Sequence, residues 1–445
     1  MRYNIGNRSD MGVKTKLQDT IPHYNTLVKP WHWLKAFTAA RVYHSPAKGM
    51  RVIGVTGTNG KTTTCFMIWK MLNEAGYKTG LMTTVAWGVD GLHKQIEHMT
   101  TVDSFTLNKR IKEIKRQKAK FLVLEVTSHA LAQFRTMGIP IEIAVLTNVT
   151  HDHLDYHGTF EKYRDTKRKL FKKARFGVVN GDDPSGIWFM QDCKKYTTYG
   201  IKNGKLQARR IKMGVYGVRY ETGGVRIRRA DKRMHNVPEF DIETQIPGEF
   251  NVYNSLAAAS VGLYLGLSPE KVAAGIEALE EVEGRMTRID VGQNFGVIVD
   301  YAHTPDAFIK VYASVNRGVK GRVISIFGGA GRRDETTRFE RGEIGGKYSD
   351  LVIITEDDSR DEDPREIAAE FVRGAEKAGK IRGKDLFVEL DRKKAIESAM
   401  KLARKDDLVL VLGKGHEKTI LRADGPHPFE DIRVTERALK RLVRG

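Results

Sequence analysis

The stretch that decides the fold is Val52-Ile-Gly-Val55, followed at once by Thr56-Gly57-Thr58-Asn59-Gly60-Lys61-Thr62-Thr63. A short apolar run, a glycine-rich turn and a helical pattern from Lys61 to about Ala75 read as strand, loop and helix. Glycines let backbone N–H groups close around phosphate oxygens, and the helix N-terminus adds the positive end of its dipole. In that geometry Lys61 reaches the β and γ phosphates of a nucleoside triphosphate, and Thr62 or Thr63 offers a hydroxyl to Mg²⁺. The spacing is not the strict phosphate-loop pattern, because Val55 stands five positions before Gly60 where a glycine is usual. A purely structural turn is the competing reading, and the strand–loop–helix context argues against it.

Working outward, Phe121–Leu124 and Ile143–Leu146 repeat the short apolar run ending in polar residues. Such runs suit the centre of a parallel sheet, with functional residues just past the strand ends. Helices are expected from Asn251 to about Leu265 and from Pro269 to about Leu279. A second set of strands is expected at Gly296–Asp300, Arg322–Phe327, Leu351–Ile354 and Leu408–Leu412. The fold class is therefore α/β: a central phosphate-loop ATPase domain over 51–283 with a mostly parallel sheet, then a Rossmann-like α/β domain over 284–445. Residues 1–50 form a short lead with one amphipathic helix, in which Trp33, Leu34, Phe37 and Val42 fall near one face. That helix reads as docked on the main body, or as an interfacial membrane helix giving peripheral contact.

The chain has 445 residues, 40% apolar and 29% charged, which excludes disordered and low-complexity classes. Its two cysteines, Cys65 and Cys193, cannot form a disulfide framework or a cysteine zinc site, so a reducing, cytoplasmic setting is expected. No run reaches the roughly 18 apolar residues of a membrane span, and the first residues lack a signal-peptide core. The net charge of +20 points to an anionic partner without choosing one. Residues 201–236 carry 11 Lys/Arg against 2 Asp/Glu and read as a solvated β-meander, with Gly214–Tyr220 one β-rich piece. Only Tyr216 and Tyr220 are aromatic there, too few for nucleic-acid stacking, so no nucleic-acid partner is expected.

Two further segments carry chemistry. Glu125 emerges at a strand end beside the phosphate loop, placed either for a metal or as a satisfied surface acid. The run Thr147-Asn148-Val-Thr-His151-Asp152-His153-Leu-Asp155-Tyr156-His157 is dense in histidine and aspartate just after another strand. Carboxylate-rich surroundings beside a triphosphate favour Mg²⁺ over zinc. Lys167, by spacing alone, is one more solvated cation.

Together these segments resemble the Mur ligase family, and within it the synthetases that add the third residue of the peptidoglycan stem peptide. The resemblance rests on TGTNGKTTT at 56–64, EVTSHALAQFR at 125–135, TNVTHDHLDYHGTFEKYRDTK at 147–167, FNVYNSLAAAS at 250–260, GRMTRID at 284–290, VDYAHTPDAF at 299–308 and GKGHE at 413–417. It implies an ATP-dependent amide-bond ligase working through an acyl phosphate, with ATP and Mg²⁺ as cofactors. Thr56 to Thr63 would be the phosphate loop, with Asn148, Asn254, Arg285, Asp300 and Tyr301 on the ATP side. Thr62 and Glu125 would ligate one metal, and His153 a second. Lys167 matches a lysine carbamylated on its ε-nitrogen. Thr100, Thr101, Thr127, Gln133 and Arg135 resemble contacts to the nucleotide-sugar peptide. Arg333, Asp357, Asp358, Ser359, Arg360, Gly413 and Glu417 resemble the pocket for the free amino acid. Lys61, Glu125, His153 and Lys167 would carry catalysis, and a monomer is expected.

The chain departs from the family pattern in three places. The separate domain that holds uridine diphosphate has too few residues before the phosphate loop. Asp357-Asp358-Ser359-Arg360 stands where diaminopimelate-adding enzymes carry Asp-Asn-Pro-Arg. Keeping Arg360 suits the distal carboxylate of diaminopimelate, whereas Asp358 suits an amine such as that of lysine. Thr127 replaces a usual serine and Val102 a usual proline. The alternatives left open are a ligase for another acceptor, such as a polyglutamate or cyanophycin-like polymer, and an ATP-regulated basic protein binding nucleic acid or membrane.

Overall fold

The computed structural model describes residues 28–95, 97, 99–214, 217–315, 318–332 and 335–444. A nine-stranded sheet organises the first part: β1 (Arg51–Thr56), β2 (Thr79–Met82), β3 (Ala86–Gly88), β4 (His93–Lys94), β5 (Phe121–Glu125), β6 (Ile141–Leu146), β7 (Phe176–Asn180), β8 (Tyr196–Gly200) and β9 (Leu206–Gln207). Its order is β4-β3-β2-β5-β1-β6-β7-β8-β9. Seven strands pair in parallel, and β3 and β4 add two antiparallel pairings at one edge, β3 being the reversed strand. Every residue of β5 and β7 is buried, as a sheet covered on both faces requires. The helices Lys61–Glu74 and Glu249–Leu265 cover one face, through Met67, Met71, Leu256 and Val261 among others. The helices Ser104–Arg116 and Phe160–Lys173 cover the opposite face, through Leu107, Ile111, Leu170 and Phe171.

Register fixes the site. Pairing of Val55 with Glu125 and of Thr56 with Leu146 brings the ends of β1, β5 and β6 to one edge of the sheet. A second sheet follows, in the order Thr287–Arg288, Gly296–Asp300, Leu408–Leu412, Val323–Phe327, Leu351–Ile354, Leu386–Val388, parallel except for its first pair.

Two details correct the sequence reading. The stretch Gly214–Tyr220 takes in parts of two strands: Arg209–Gly214 pairs antiparallel with Gly217–Thr222, and Gly214 faces Gly217. The basic segment forms two small antiparallel sheets, Arg209–Gly214 with Gly217–Thr222 and Phe240–Thr244, and Val225–Arg228 with Met234–Val237. Tyr216 lies outside the described residues. The helix Lys29–Val42 does dock, yet its buried residues are Ala36, Ala39 and Ala40, while Trp33, Leu34, Phe37 and Val42 are exposed. Small side chains allow a close approach, and a Cβ at Gly138 would lie 3.1 Å from Ala40. Among the described residues no helix is long and apolar enough to cross a membrane.

Candidate active site

The phosphate loop is clamped from β6. Asn148 accepts the Asn59 N–H at 2.9 Å through Oδ1 and donates to the Asn59 carbonyl at 3.1 Å. The Thr147 hydroxyl donates to the same carbonyl at 2.6 Å. Thr58 is held by the Thr150 N–H at 2.9 Å and lies 3.0 Å from the Tyr163 hydroxyl. Gly60 begins the helix at φ 80°, and a Cβ there would lie 2.3 Å from Asn254 Oδ1. Only glycine meets both demands. Asn254 in turn accepts from Thr64 at 3.2 Å.

Two lysines flank the loop. Lys61 Nζ donates to the Thr58 carbonyl at 2.6 Å, and burial pushes its ammonium below the ordinary lysine range. Lys167 Nζ donates to the Gly57 carbonyl at 2.7 Å and lies 4.3 Å from the Tyr163 ring centroid. Lys167 is 1% exposed, which overturns the reading of it as a solvated cation. Burial and the Lys61 charge hold it well below the ordinary range. Among the described residues no carboxylate lies within ion-pair distance of it. A buried amine in the neutral form is the species that can add CO₂, so the site fits a carbamate.

Glu125 is buried at the end of β5 rather than being a surface acid. Its carboxylate accepts from the Thr62 hydroxyl at 3.0 Å to each oxygen, and from the Thr84 N–H at 3.0 Å and hydroxyl at 3.1 Å. This oxygen-only donor set fits a hard divalent cation. Arg285 Nη2 lies 3.3 Å from Thr62 Oγ1 and its guanidinium sits 4.5 Å from the Tyr301 ring centroid. Asp300 is turned to structure: it accepts the N–H groups of Met286 and Ala302, both at 2.7 Å, and fixes the entry to the second domain. Asp306 reaches back from that domain to Asn59 Nδ2 at 2.7 Å. Thr84 and Asp306 were missed in the sequence: Thr84 lies in none of the quoted motifs, and Asp306, although inside VDYAHTPDAF, meets Asn59 from 247 positions away.

His153 adopts φ 54° and lies 3.4 Å from Asp152. Its ring packs 4.8 Å from His129 and 6.2 Å from Tyr163, so the Tyr163 ring neighbours both His153 and Lys167. Nearby, Thr101 donates to the Glu125 carbonyl at 2.8 Å and accepts the Thr127 N–H at 3.1 Å. Thr127 caps the helix Ser128–Ala132. Arg135 forks onto Gln133 Oε1 at 3.0 and 2.6 Å and donates to the Thr101 carbonyl. Among the described residues it has no carboxylate within ion-pair distance, which leaves its charge for an anionic ligand. Thr100 lines a small cleft beside Thr101.

A second cluster sits in the C-terminal domain. Lys414, fully buried, donates to Asp357 at 3.2 Å, to Asp358 at 2.7 Å and to Glu417 at 2.7 Å. Burial lifts the Glu417 carboxyl to about 7. A Cβ at Gly413, at φ 113°, would lie 2.8 Å from Asp357. Ser359 donates to Glu356 at 2.8 Å, and Arg360 donates to the Gly331 carbonyl at 2.7 Å from a left-handed φ of 54°. Arg333 lies outside the described residues. Lys414 escaped the sequence reading although it stands inside GKGHE.

Comparison with known proteins gives two family matches, the Mur ligase middle domain over residues 55–262 and the Mur ligase, glutamate ligase domain over 284–415. The UDP-N-acetylmuramoyl-L-alanyl-D-glutamate–2,6-diaminopimelate ligase 1 of Clostridium acetobutylicum is 37% identical over 98% of this chain and 87% of its own length. The UDP-N-acetylmuramyl-tripeptide synthetase of a Roseiflexus species is 38% identical over 92% of this chain and 82% of its own. A solved UDP-N-acetylmuramoyl-L-alanyl-D-glutamate–2,6-diaminopimelate ligase aligns with TM-score 0.59 at 29% identity, covering 88% of this chain and 79% of that one.

Proposed function

This chain belongs to the Mur ligase family of ATP-dependent amide-bond ligases, and from that premise we propose that it adds meso-diaminopimelate to UDP-N-acetylmuramoyl-L-alanyl-D-glutamate in peptidoglycan synthesis. The observation that carries this reading is the meeting of Thr62, Glu125 and Arg285: a phosphate-loop hydroxyl, a buried carboxylate and a cation from the following domain converge within hydrogen-bond distance. Glu125 and Thr62 would hold one Mg²⁺, and His153 with a carbamylated Lys167 a second. Bound there, the ions would neutralise charge building on the transferred phosphoryl group.

Arg135, with its charge unmatched, orients the anionic peptide so that its terminal carboxylate attacks the γ-phosphorus of ATP. The P–O bond to ADP breaks and an acyl phosphate forms. The neutral amine of diaminopimelate attacks the acyl carbon, inorganic phosphate leaves with its C–O bond electrons, and the proton lost from the nitrogen passes to the departing phosphate or to water. Lys61 and Arg285 stabilise charge on the phosphoryl oxygens in the first step. Arg360 gives the distal carboxylate of diaminopimelate a cation, and Glu417 accepts from an ammonium. The acceptors named for the relatives argue against a polyglutamate or cyanophycin-like substrate. We assign the reaction to the cytoplasm, where ATP is available.

The test is phosphate release by the full chain with ATP, Mg²⁺, the UDP-sugar dipeptide and candidate amino acids. Release is expected only when dipeptide and diaminopimelate are both present. Absence of turnover with every amino acid would sink the assignment, and preferential turnover with lysine would redirect it.

A further inference from the structure

The helix Lys29–Val42 turns its small side chains inward and its large ones outward. Trp31 is 64% exposed, Trp33 45% and Leu34 50%, with Phe37 and Val42 beside them. Trp33 and Phe37 stack on each other at 5.1 Å, so they present one continuous apolar ridge. The helix contains no acidic residue and three cations, Lys29, Lys35 and Arg41. Lys29, at its start, lies within electrostatic range of Lys169 on the helix Phe160–Lys173, where Lys169, Lys172 and Lys173 are exposed. Lys29, Lys169 and Lys173 have no ion-pair partner among the described residues.

We propose that this face is a docking surface for an anionic lipid bilayer, with Trp31, Trp33, Leu34 and Phe37 entering the headgroup layer and the Lys29–Lys169–Lys173 cluster meeting lipid phosphates. A ridge of tryptophan and aliphatic side chains rimmed by cations matches that interface in both polarity and charge. A second copy of the chain fits poorly, because a symmetric contact would set the two lysine clusters against each other. Residues 1–27 fit poorly as a cover as well, since their four cations against two acids add to the same positive charge. Nucleic acid would match the charge but not Leu34 and Val42, and the Trp33 and Phe37 ring faces are turned on each other.

The experiment is co-sedimentation of the full chain with vesicles of phosphatidylcholine alone or with one third phosphatidylglycerol, at low and high salt. Binding is expected to be at least about tenfold stronger with phosphatidylglycerol and to weaken with salt. Lys169→Glu with Lys173→Glu, and separately Trp33→Ser with Phe37→Ser, should each lower it by about tenfold or more. Both pairs are exposed and outside the active site, so ligase turnover in solution serves as the folding control. Four results would each overturn the proposal. These are no vesicle binding, equal binding to the neutral vesicles, wild-type binding by the Trp33/Phe37 variant, or a dimer that the same substitutions dissociate. Single-stranded RNA binding lost in both double variants, without vesicle binding, would assign the face to nucleic acid instead.

Discussion

Lys414 Nζ lies 2.7 Å from Asp358 Oδ1, and the same carboxylate oxygen accepts the Leu421 N–H at 2.9 Å. The aspartate that replaces the usual amide is therefore matched from inside the protein. Its added charge is directed at a buried lysine and a backbone donor, and it is not held ready for the side-chain amine of a substrate.

Asp358→Asn should leave the choice between diaminopimelate and lysine almost unchanged. Asparagine keeps an acceptor for Lys414 and Leu421, and Lys414 retains Asp357 and Glu417. The ratio of kcat/KM for the two amino acids is expected to move less than about threefold, under about 1 kcal/mol. A swing of about a hundredfold toward diaminopimelate would mean that Asp358 faces the substrate after all.

Lys414→Met tests the other partner. It leaves three carboxylates together in a buried site with their shared cation removed, a change that costs about 3–5 kcal/mol where a buried pair is broken. Thermal unfolding should drop by several degrees and recover partly at low pH, where the carboxylates take up protons. An unchanged melting temperature at neutral pH would show that the cluster is hydrated enough to dispense with the lysine.

Local chemistry was legible in the sequence, and long-range partnership was not. The phosphate loop could be read because Gly57, Gly60, Lys61 and Thr62 do their work within a few residues of one another. The strands could be read because continuous apolar runs have few other uses. Lys414 could not, since its partners Asp357 and Asp358 lie 57 and 56 positions away and only the strand order brings them together. The same holds for Thr84 on Glu125 and Asp306 on Asn59. By spacing alone Lys167 read as a solvated cation, because a helix rich in cations hides the one that points inward; only the family resemblance singled it out. For the helix Lys29–Val42, periodicity marks an apolar face but does not say that the alanine side packs closer.

Asp306→Ala removes one of the hydrogen bonds by which the C-terminal domain touches the phosphate loop, Arg285 to Thr62 being another. Asp306 also pairs with Lys310 at 2.7 Å, but both are partly exposed and that pair adds little stability. The expected outcome is a KM for ATP raised about tenfold, with a melting temperature within about 2 °C of the parent. Isothermal titration with a non-hydrolysable ATP analogue checks it, and undiminished affinity would show that the contact does not shape the loop.

Lys167→Ala should lower kcat by about a hundredfold or more if its carbamate supports the metal site. Acetate or formate should restore part of the activity by supplying a carboxylate in the vacated space. In the parent enzyme, ¹³C-bicarbonate should yield a carbamate resonance that the variant lacks. Full activity in the variant, or no such resonance in the parent, would remove the carbamate from the site.

Glu417 sets a pH dependence whose sign follows from burial. Its carboxyl titrates at about 7 in the folded protein against an ordinary value of 4.5. The raised value means that the folded state favours the protonated form. Stability from this group is complete below about pH 4.5 and is lost as pH rises through about 7. Without substrate, the melting temperature should therefore fall between pH 5 and 8, and Glu417→Gln should flatten that fall. Binding of the amino acid should run the opposite way, because only the carboxylate pairs fully with an ammonium. KM for diaminopimelate is expected to decrease from pH 6 to 8 in the parent and to stay level in Glu417→Gln. Parallel pH profiles for the two enzymes would show that another group governs the site.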